Sequence, residues 1–208
     1  MKGKFITFEG CEGVGKSTQV RFLKEYMANT NQDCVFLREP GGTDISEAIR
    51  KIILDPNNTE MTNECETMLY CAARAQLIKQ VIEPALKEGK TVICDRFIDS
   101  TFAYQGVARG LGADYVEQLN DLACGKIKPD VTIFLDLSPE QAFERKGGAD
   151  KNDRLEREAF EFHMKVYEGY KEAAKRHPKR IACIDASADK FTTQNKIREF
   201  LRSGGYIK

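Results

Sequence analysis

Residues Gly10 to Ser17 read G-C-E-G-V-G-K-S, the spacing G-x-x-x-x-G-K-[ST]. An apolar run, Phe5-Ile6-Thr7-Phe8, stands before it, and Val20, Leu23 and Met27 follow at helical spacing. Strand, glycine loop and helix in that order make a phosphate cradle. The glycines let the backbone curl so that successive N–H groups converge, and the helix start adds the positive end of its dipole. In such a cradle Lys16 reaches the outer phosphates of a nucleoside triphosphate and Ser17 offers its hydroxyl to Mg²⁺. The same helix start can favour a thiolate at Cys11.

Four further apolar runs recur along the chain: Cys34–Leu37, Thr91–Cys94, Val131–Leu135 and Ile181–Ile184. With Lys4–Phe8 they make five compact, non-alternating segments, the pattern of strands buried on both faces of a parallel sheet. Helical periodicity fills the intervals. It predicts helices over Ser17–Ala28, Ser46–Leu54, Asn63 to about Lys87, Asp114–Cys124, Leu155–Lys175, and about Asp189 to Leu201. The long third helix carries Leu69, Ala72, Ala75, Ile78, Ile82 and Leu86 on one side, is kinked near Pro84 and ends at Gly89. The fifth runs through Ala159, Phe162, Val166, Tyr170 and Ala173. Strands alternating with helices predict a single doubly wound α/β domain over residues 1–208, with helices on both faces of a five-stranded parallel sheet. The polar stretch Lys146–Asp153 reads as a small lid or a surface loop.

Composition narrows the classes. Lys+Arg and Asp+Glu both number 32 among 208 residues, which argues against a broad nucleic-acid-binding face. The seven cysteines include no C-x-x-C pair, and the two histidines, His163 and His177, stand apart, so zinc-ligand spacing is missing. Cysteines inside apolar runs read as reduced packing residues, and no stretch approaches the length of a membrane span. The expectation is a cytoplasmic protein that binds neither membrane nor nucleic acid.

In open parallel sheets ligands bind beyond the carboxyl ends of the strands. Following the five runs stand Glu9 with the glycine loop, Arg38-Glu39-Pro40-Gly41-Gly42, Asp95-Arg96-Phe97, Asp136 with Ser138, and Asp185-Ala186-Ser187. Lys16, Arg38 and Arg96 bring positive charge to one rim, and Glu9 and Asp95 bring carboxylates. Phosphoryl transfer needs such a rim, because two anionic reactants must be held in line. Asp95 is the candidate partner of Ser17 for Mg²⁺. Asp136 reads instead as a carboxylate capping its turn.

Five segments together, F-E-G-C-E-G-V-G-K-S, R-E-P-G-G-T, A-A-R-A-Q, D-R-F-I-D-S-T-F-A-Y-Q-G and D-R-L-E, resemble the thymidylate kinases, P-loop nucleoside monophosphate kinases. The likeness runs from about residue 3 to 172, and the segment from Asp95 to Gly106 is its most specific part. It implies transfer of a phosphoryl group from ATP to dTMP, giving dTDP for dTTP synthesis, with Mg²⁺, in a protein that is commonly a homodimer. It implies ATP contacts from Gly10, Cys11, Glu12, Gly13, Val14, Gly15, Lys16, Ser17 and Thr18, and metal contacts from Ser17 and Asp95. Glu9 is matched to the acid near the acceptor's 3′-hydroxyl, and Arg38 and Arg96 to the arginines on its phosphate. Tyr70 is placed to stack on thymine and Arg74 to hydrogen-bond it. Ser100, Thr101 and Gln105 line the pocket, and Tyr104 packs near C2′. Tyr70 and Arg74, four apart, share a helix face, which suits this pairing. The phosphate loop has Gly13 where some relatives carry a catalytic arginine, so the lid is left to supply it. Arg145 and Arg154 are the favoured catalytic candidates beside Lys16 and Arg96, and Lys151 is weaker. Arg145 could instead lie against adenine.

Two rival readings stand. A kinase of another acceptor on the same scaffold is countered by two acceptor-side arginines, which favour an acceptor already phosphorylated. A guanine-nucleotide switch needs an N-K-x-D element, and Asn195-Lys196-Ile197-Arg198 lacks the aspartate.

Overall fold

The computed structural model describes residues 3–146 and 153–208. Its strands are β1 (Phe5–Glu9), β2 (Cys34–Arg38), β3 (Thr91–Asp95), β4 (Val131–Asp136) and β5 (Ile181–Asp185). They form one sheet of order β2-β3-β1-β4-β5, parallel throughout. Each strand meets its expected span within a residue at either end. Glu9, Arg38, Asp95, Asp136 and Asp185 are therefore the closing residues of the strands. The register sets Phe8 beside Asp95 and Arg38 beside Asp95, so three strands deliver their charged ends to one place.

Successive side chains on β1 point to opposite faces. Ile6 and Phe8 enter one buried cluster with Leu23, Met27, Ile133 and Val166, while Phe5 enters another with Leu77, Ile82, Val92 and Phe97. Two cores on two faces require helices on both, as the run of apolar strands predicts. The edge strands β2 and β5 are only partly covered.

The helices are α1 (Lys16–Asn29), α2 (Asp44–Leu54), α3 (Asn63–Leu77), α4 (Glu83–Lys87), α5 (Ile98–Thr101), α6 (Ala113–Cys124), α7 (Pro139–Lys146), α8 (Phe160–Arg176) and α9 (Lys190–Ser203). Wider π-helical segments follow α3 at Ile78–Ile82 and α5 at Phe102–Ala108. The long third helix is thus interrupted by a π segment just before Pro84, and it ends where Gly89 turns to φ +82°. Its inward stripe also differs from the expected one. Ala72 is exposed, and Glu66, Ala73, Arg74 and Leu77 are buried, because the middle of α3 turns a polar strip toward α6 and the strand ends.

Two other differences have local causes. The fifth predicted helix starts at Phe160, not Leu155. Asp153 accepts the Leu155 N–H (2.9 Å), and Arg154 donates its own N–H to the Leu54 carbonyl (3.2 Å), so residues 154–157 form a turn tied to α2. Helix α7 has no counterpart in the periodicity, since its eight residues carry few apolar positions. Most of the expected lid, residues 147–152 including Lys151, lies outside the described residues.

Helix α8 seats closely on the Phe102–Ala108 segment. A Cβ built on Gly169 would stand 2.8 Å from Ala103 Cα and 3.0 Å from its carbonyl oxygen. Alanine in a helix interior normally gains up to about 1 kcal/mol over glycine. Overpacking against backbone costs about 1–3 kcal/mol and outweighs that gain. Gly169→Ala is therefore expected to lower Tm by several degrees, and an unchanged or raised Tm would contradict the packing.

Candidate active site

The phosphate loop leaves β1 with Gly10 at φ +140°, turns again at Gly13 (φ +80°), and starts α1 from Gly15 at φ +98°. Helices α2, α3 and α9 each begin with a side-chain cap, from Thr43, Thr62 and Asp189. Helix α1 has none. Its first amides are left for a ligand, as an anion site at a helix start demands. Lys16 is 7% exposed and donates to the carbonyls of Gly10 and Cys11, both at 2.8 Å. Burial, with Arg96 nearby, lowers its pKa from the ordinary lysine value.

A cavity of about 490 Å³ opens from this loop. Lys16, Ser17 and Thr18 lie at one end, and its walls include Arg38, Tyr70, Arg74, Asp95, Arg96, Ser100, Thr101, Tyr104 and Gln105. Nearly every residue expected on the acceptor side thus meets the phosphate loop in one space. Glu12, Glu39, Arg50, Asp153 and Glu156 complete the charged lining.

Arg96 leaves β3 with φ +70°, a conformation unusual for a side-chain-bearing residue and one held only by surrounding contacts. Its Nη1 donates to Gly10 O (3.2 Å), Ser100 Oγ (3.2 Å) and Tyr170 OH (2.9 Å), and its Nη2 to Glu12 and Tyr104 OH. Arg38 is exposed at the far wall. It pairs through Nη2 with both oxygens of Glu47 (3.1 and 3.0 Å), while Nη1 donates to Pro40 O. Arg50, one turn beyond Glu47, also donates to Pro40 O, at 3.0 Å. Its three-residue spacing from Glu47 on a helix was the available sequence signal.

Arg74 is 1% exposed, and its partner Glu39 4%. The guanidinium donates to Glu39 Oε2 (2.8 Å from Nε), Asn120 Oδ1 (2.6 Å), Phe97 O (3.0 Å) and Thr101 Oγ1 (3.0 Å). Burial opposes the Arg74 charge, but the Glu39 carboxylate outweighs it and holds the proton on more firmly than usual. Gln105 donates to Glu66 Oε1 at 2.7 Å, and Tyr70 is half-buried beside it on the cavity wall.

Five expectations change on meeting this geometry. Glu9 does not reach the cavity. It is 0% exposed beneath it, accepting from the N–H groups of Phe97 (2.7 Å) and Ser100 (3.3 Å) and from the hydroxyls of Ser100 (2.6 Å) and Tyr170 (3.1 Å). Burial, with the Asp99 charge, pushes its carboxyl up to about 7. Glu12 is the loop acid on the wall. Arg145 is held by the carbonyls of Ala186 and Ser187 in a second hollow lined also by Gly13, Thr18 and Lys190. Arg154 is drawn to Glu66 and to Ile53 O (3.0 Å). Cys11 is buried, and loss of solvent pushes its thiol up to about 12, against the expected thiolate. Asp136 accepts from Tyr167 OH (2.7 Å) and does not cap its turn through its side chain.

For a divalent cation the oxygen set is suitable. Ser17 Oγ stands 3.3 Å from Asp95 Oδ2, and Asp95 Oδ1 is buried with no partner among the described residues. Hydroxyl, carboxylate and phosphate oxygens are the ligands Mg²⁺ prefers, with water filling the remainder.

A parallel sheet of this order, with a phosphate cradle facing a second cationic wall across one cavity, defines a P-loop kinase of the nucleoside monophosphate type. The family model described as thymidylate kinase matches residues 8–197. A thymidylate kinase of Thermoanaerobacter sp. (strain X514) is 46% identical over 202 residues, covering 97% of this chain and 98% of its own. That of Bacillus velezensis is 49% identical over 192 residues, 91% of each. The crystal structure of thymidylate kinase from Ehrlichia chaffeensis superposes with a TM-score of 0.79 at 32% identity, covering 97% of this chain and 99% of that one. The chain belongs to the thymidylate kinase family. No helix among the described residues is long and apolar enough to cross a membrane.

Proposed function

We propose that the cavity takes ATP at the phosphate loop and dTMP at the opposite wall, and that an oxygen of the dTMP phosphate attacks the γ-phosphorus directly. The observation that carries this is the single 490 Å³ space joining Lys16 to Arg38, Arg96, Tyr70 and Arg74. The acceptor phosphate is largely ionised at neutral pH, so the transfer needs no general base. Alignment and charge neutralisation by Lys16 and Arg96 carry it. Arg38 exchanges Glu47 for the acceptor phosphate, Tyr70 faces the base, and Arg74 lies beneath it. Glu12, beside Tyr104, takes the sugar-side role first matched to Glu9. Arg145 belongs to the adenine end of ATP. The domain is single, with residues about 145–154 as its lid.

Ser17 and Asp95 would hold Mg²⁺, which would supply charge neutralisation on the phosphates. Asp95 would act through the ion's waters, and loss of such an outer partner weakens metal binding roughly 10–100-fold. Asp95→Asn is expected to raise the Mg²⁺ concentration for half-maximal turnover by about that factor, and an unshifted Mg²⁺ titration would remove Asp95 from the site. A homodimer in the cytoplasm completes the proposal. It is supported by Ile45 and Ile52 on α2, Met68 on α3, and Leu122 on α6, all large, apolar and exposed on helices that pack side by side.

ADP release measured over dTMP, dUMP, dCMP, AMP and thymidine tests the acceptor. Turnover is expected to be highest with dTMP, and activity confined to thymidine would refute the monophosphate reading.

A further inference from the structure

Tyr170 sits on α8, far in sequence from the phosphate loop and the strand ends, and its periodicity marks it only as a core residue. It is 1% exposed, and its ring stacks on Phe134 with centroids 5.4 Å apart. Its hydroxyl is nevertheless the junction of three polar groups. Arg96 Nη1 donates to it at 2.9 Å, Ser100 Oγ stands 2.8 Å away, and it faces Glu9 Oε2 at 3.1 Å. A phenol has one proton to give. Directed at Glu9 or Ser100, that proton turns the oxygen's lone pairs toward the guanidinium. Glu9 in turn is held through one oxygen by two backbone amides at the start of α5, while its other oxygen faces Ser100 and Tyr170 and makes no direct bond to Arg96 among the described contacts.

We infer that Tyr170, oriented by Glu9, is a positioning residue that holds the inner nitrogen of Arg96 so that the outer face of the guanidinium is presented to the acceptor phosphate. Three features support this. Arg96 has the left-handed backbone of φ +70°, which surrounding contacts must maintain. Among the described residues Nη1 meets Gly10 O and Tyr170 OH, both off the cavity lining, and Ser100 Oγ, whereas Nη2 turns to Glu12 and Tyr104 on the cavity wall. The helix carrying Tyr170 is seated closely beside the site, since Gly169 brings it against Ala103 with no room for a methyl group. The support thus reaches the site from α8, a separate wall of the fold.

The inference rests on the reading that Arg96 grips the acceptor phosphate, and the test separates the two. Tyr170→Phe removes the hydroxyl and keeps the ring on Phe134. A hydrogen bond to a charged group is worth about a tenfold change or more. Tyr170→Phe is therefore expected to lower kcat/KM for dTMP about tenfold, leave KM for ATP within about twofold, and leave the inhibition constant of thymidine, which has no phosphate, within about twofold. A merely structural role would weaken dTMP and thymidine alike. Arg96→Lys is the reference arm, because lysine keeps the charge without the fork. If Arg96→Lys impairs dTMP use and Tyr170→Phe does not, or if Tyr170→Phe weakens thymidine as much as dTMP, the positioning role is overturned. If Arg96→Lys leaves dTMP use unchanged, the phosphate reading fails with it.

Discussion

Replacing Lys16 with alanine is expected to reduce kcat for dTMP phosphorylation by about 10²–10³-fold or more, with Tm shifted by no more than a few degrees. Among the described residues, Lys16 is the only lysine lining the 490 Å³ cavity. Its Nζ rests on two loop carbonyls, 2.8 Å from each, so in the free protein it is already held in place at the phosphate loop. Such preorganised charge costs no rearrangement when negative charge shifts during transfer, and losing one comparable donor elsewhere costs about 3–4 kcal/mol in the transition state. The fold has little stake in the amine. Gly10 O keeps a second donor in Arg96 Nη1, and the apolar contacts of α1 run through Leu23 and Met27. Steady-state kinetics beside a thermal melt read both halves of the prediction. Near wild-type turnover would refute the assignment.

The second large effect concerns stability. Arg74→Ala is expected to destabilise the protein by about 3–5 kcal/mol, because removing one partner of a buried ion pair strands the other charge. For a chain of this size that is a fall in Tm of roughly 6–20 °C. Glu39, 4% exposed, would lose its cation, and burial already raises its carboxyl against the pull of Arg74. Asn120, Thr101 and the Phe97 carbonyl would each lose a donor as well. The surviving protein should show a KM for dTMP raised far more than that for ATP, since Arg74 lines the acceptor end. Adding Glu39→Gln to Arg74→Met should recover part of the stability lost by Arg74→Met alone. An unchanged Tm for Arg74→Ala would mean that the pair is not a buried anchor, and equal effects on both nucleotides would remove it from the acceptor pocket.

The sequence carried the fold well because its strands are buried and compact, and the glycine loop fixes the order of the first β–α unit. Residue type and position after a strand brought Lys16, Arg38, Asp95 and Arg96 to one rim without knowledge of the topology. What it could not resolve was which of two acids three residues apart faces the cavity. Glu9 closes β1 and is buried by the turn at α5, whereas Glu12 lies in the loop and stays on the wall. Nor could periodicity reveal that α3 buries Arg74 and Glu66, because a charged residue counts against a buried stripe unless its partner is known. Those partners, Glu39, Asn120, Gln105 and Arg109, come from other elements. Arg145 and Arg154 were legible as cations near the lid. Their actual partners, two carbonyls after β5 and a carboxylate on α3, are long-range contacts.

Transfer as proposed depends on two phosphate-bearing ligands meeting in line within one cavity. The direct measurement is a crystal structure of the protein with Mg²⁺, dTMP and a non-hydrolysable ATP analogue. The dTMP phosphate is expected on Arg38 and Arg96, its base between Tyr70 and the wall above Arg74, and the γ-phosphate at Lys16 pointing toward it. A dTMP molecule bound outside this cavity, or one whose phosphate points away from Lys16, would contradict it.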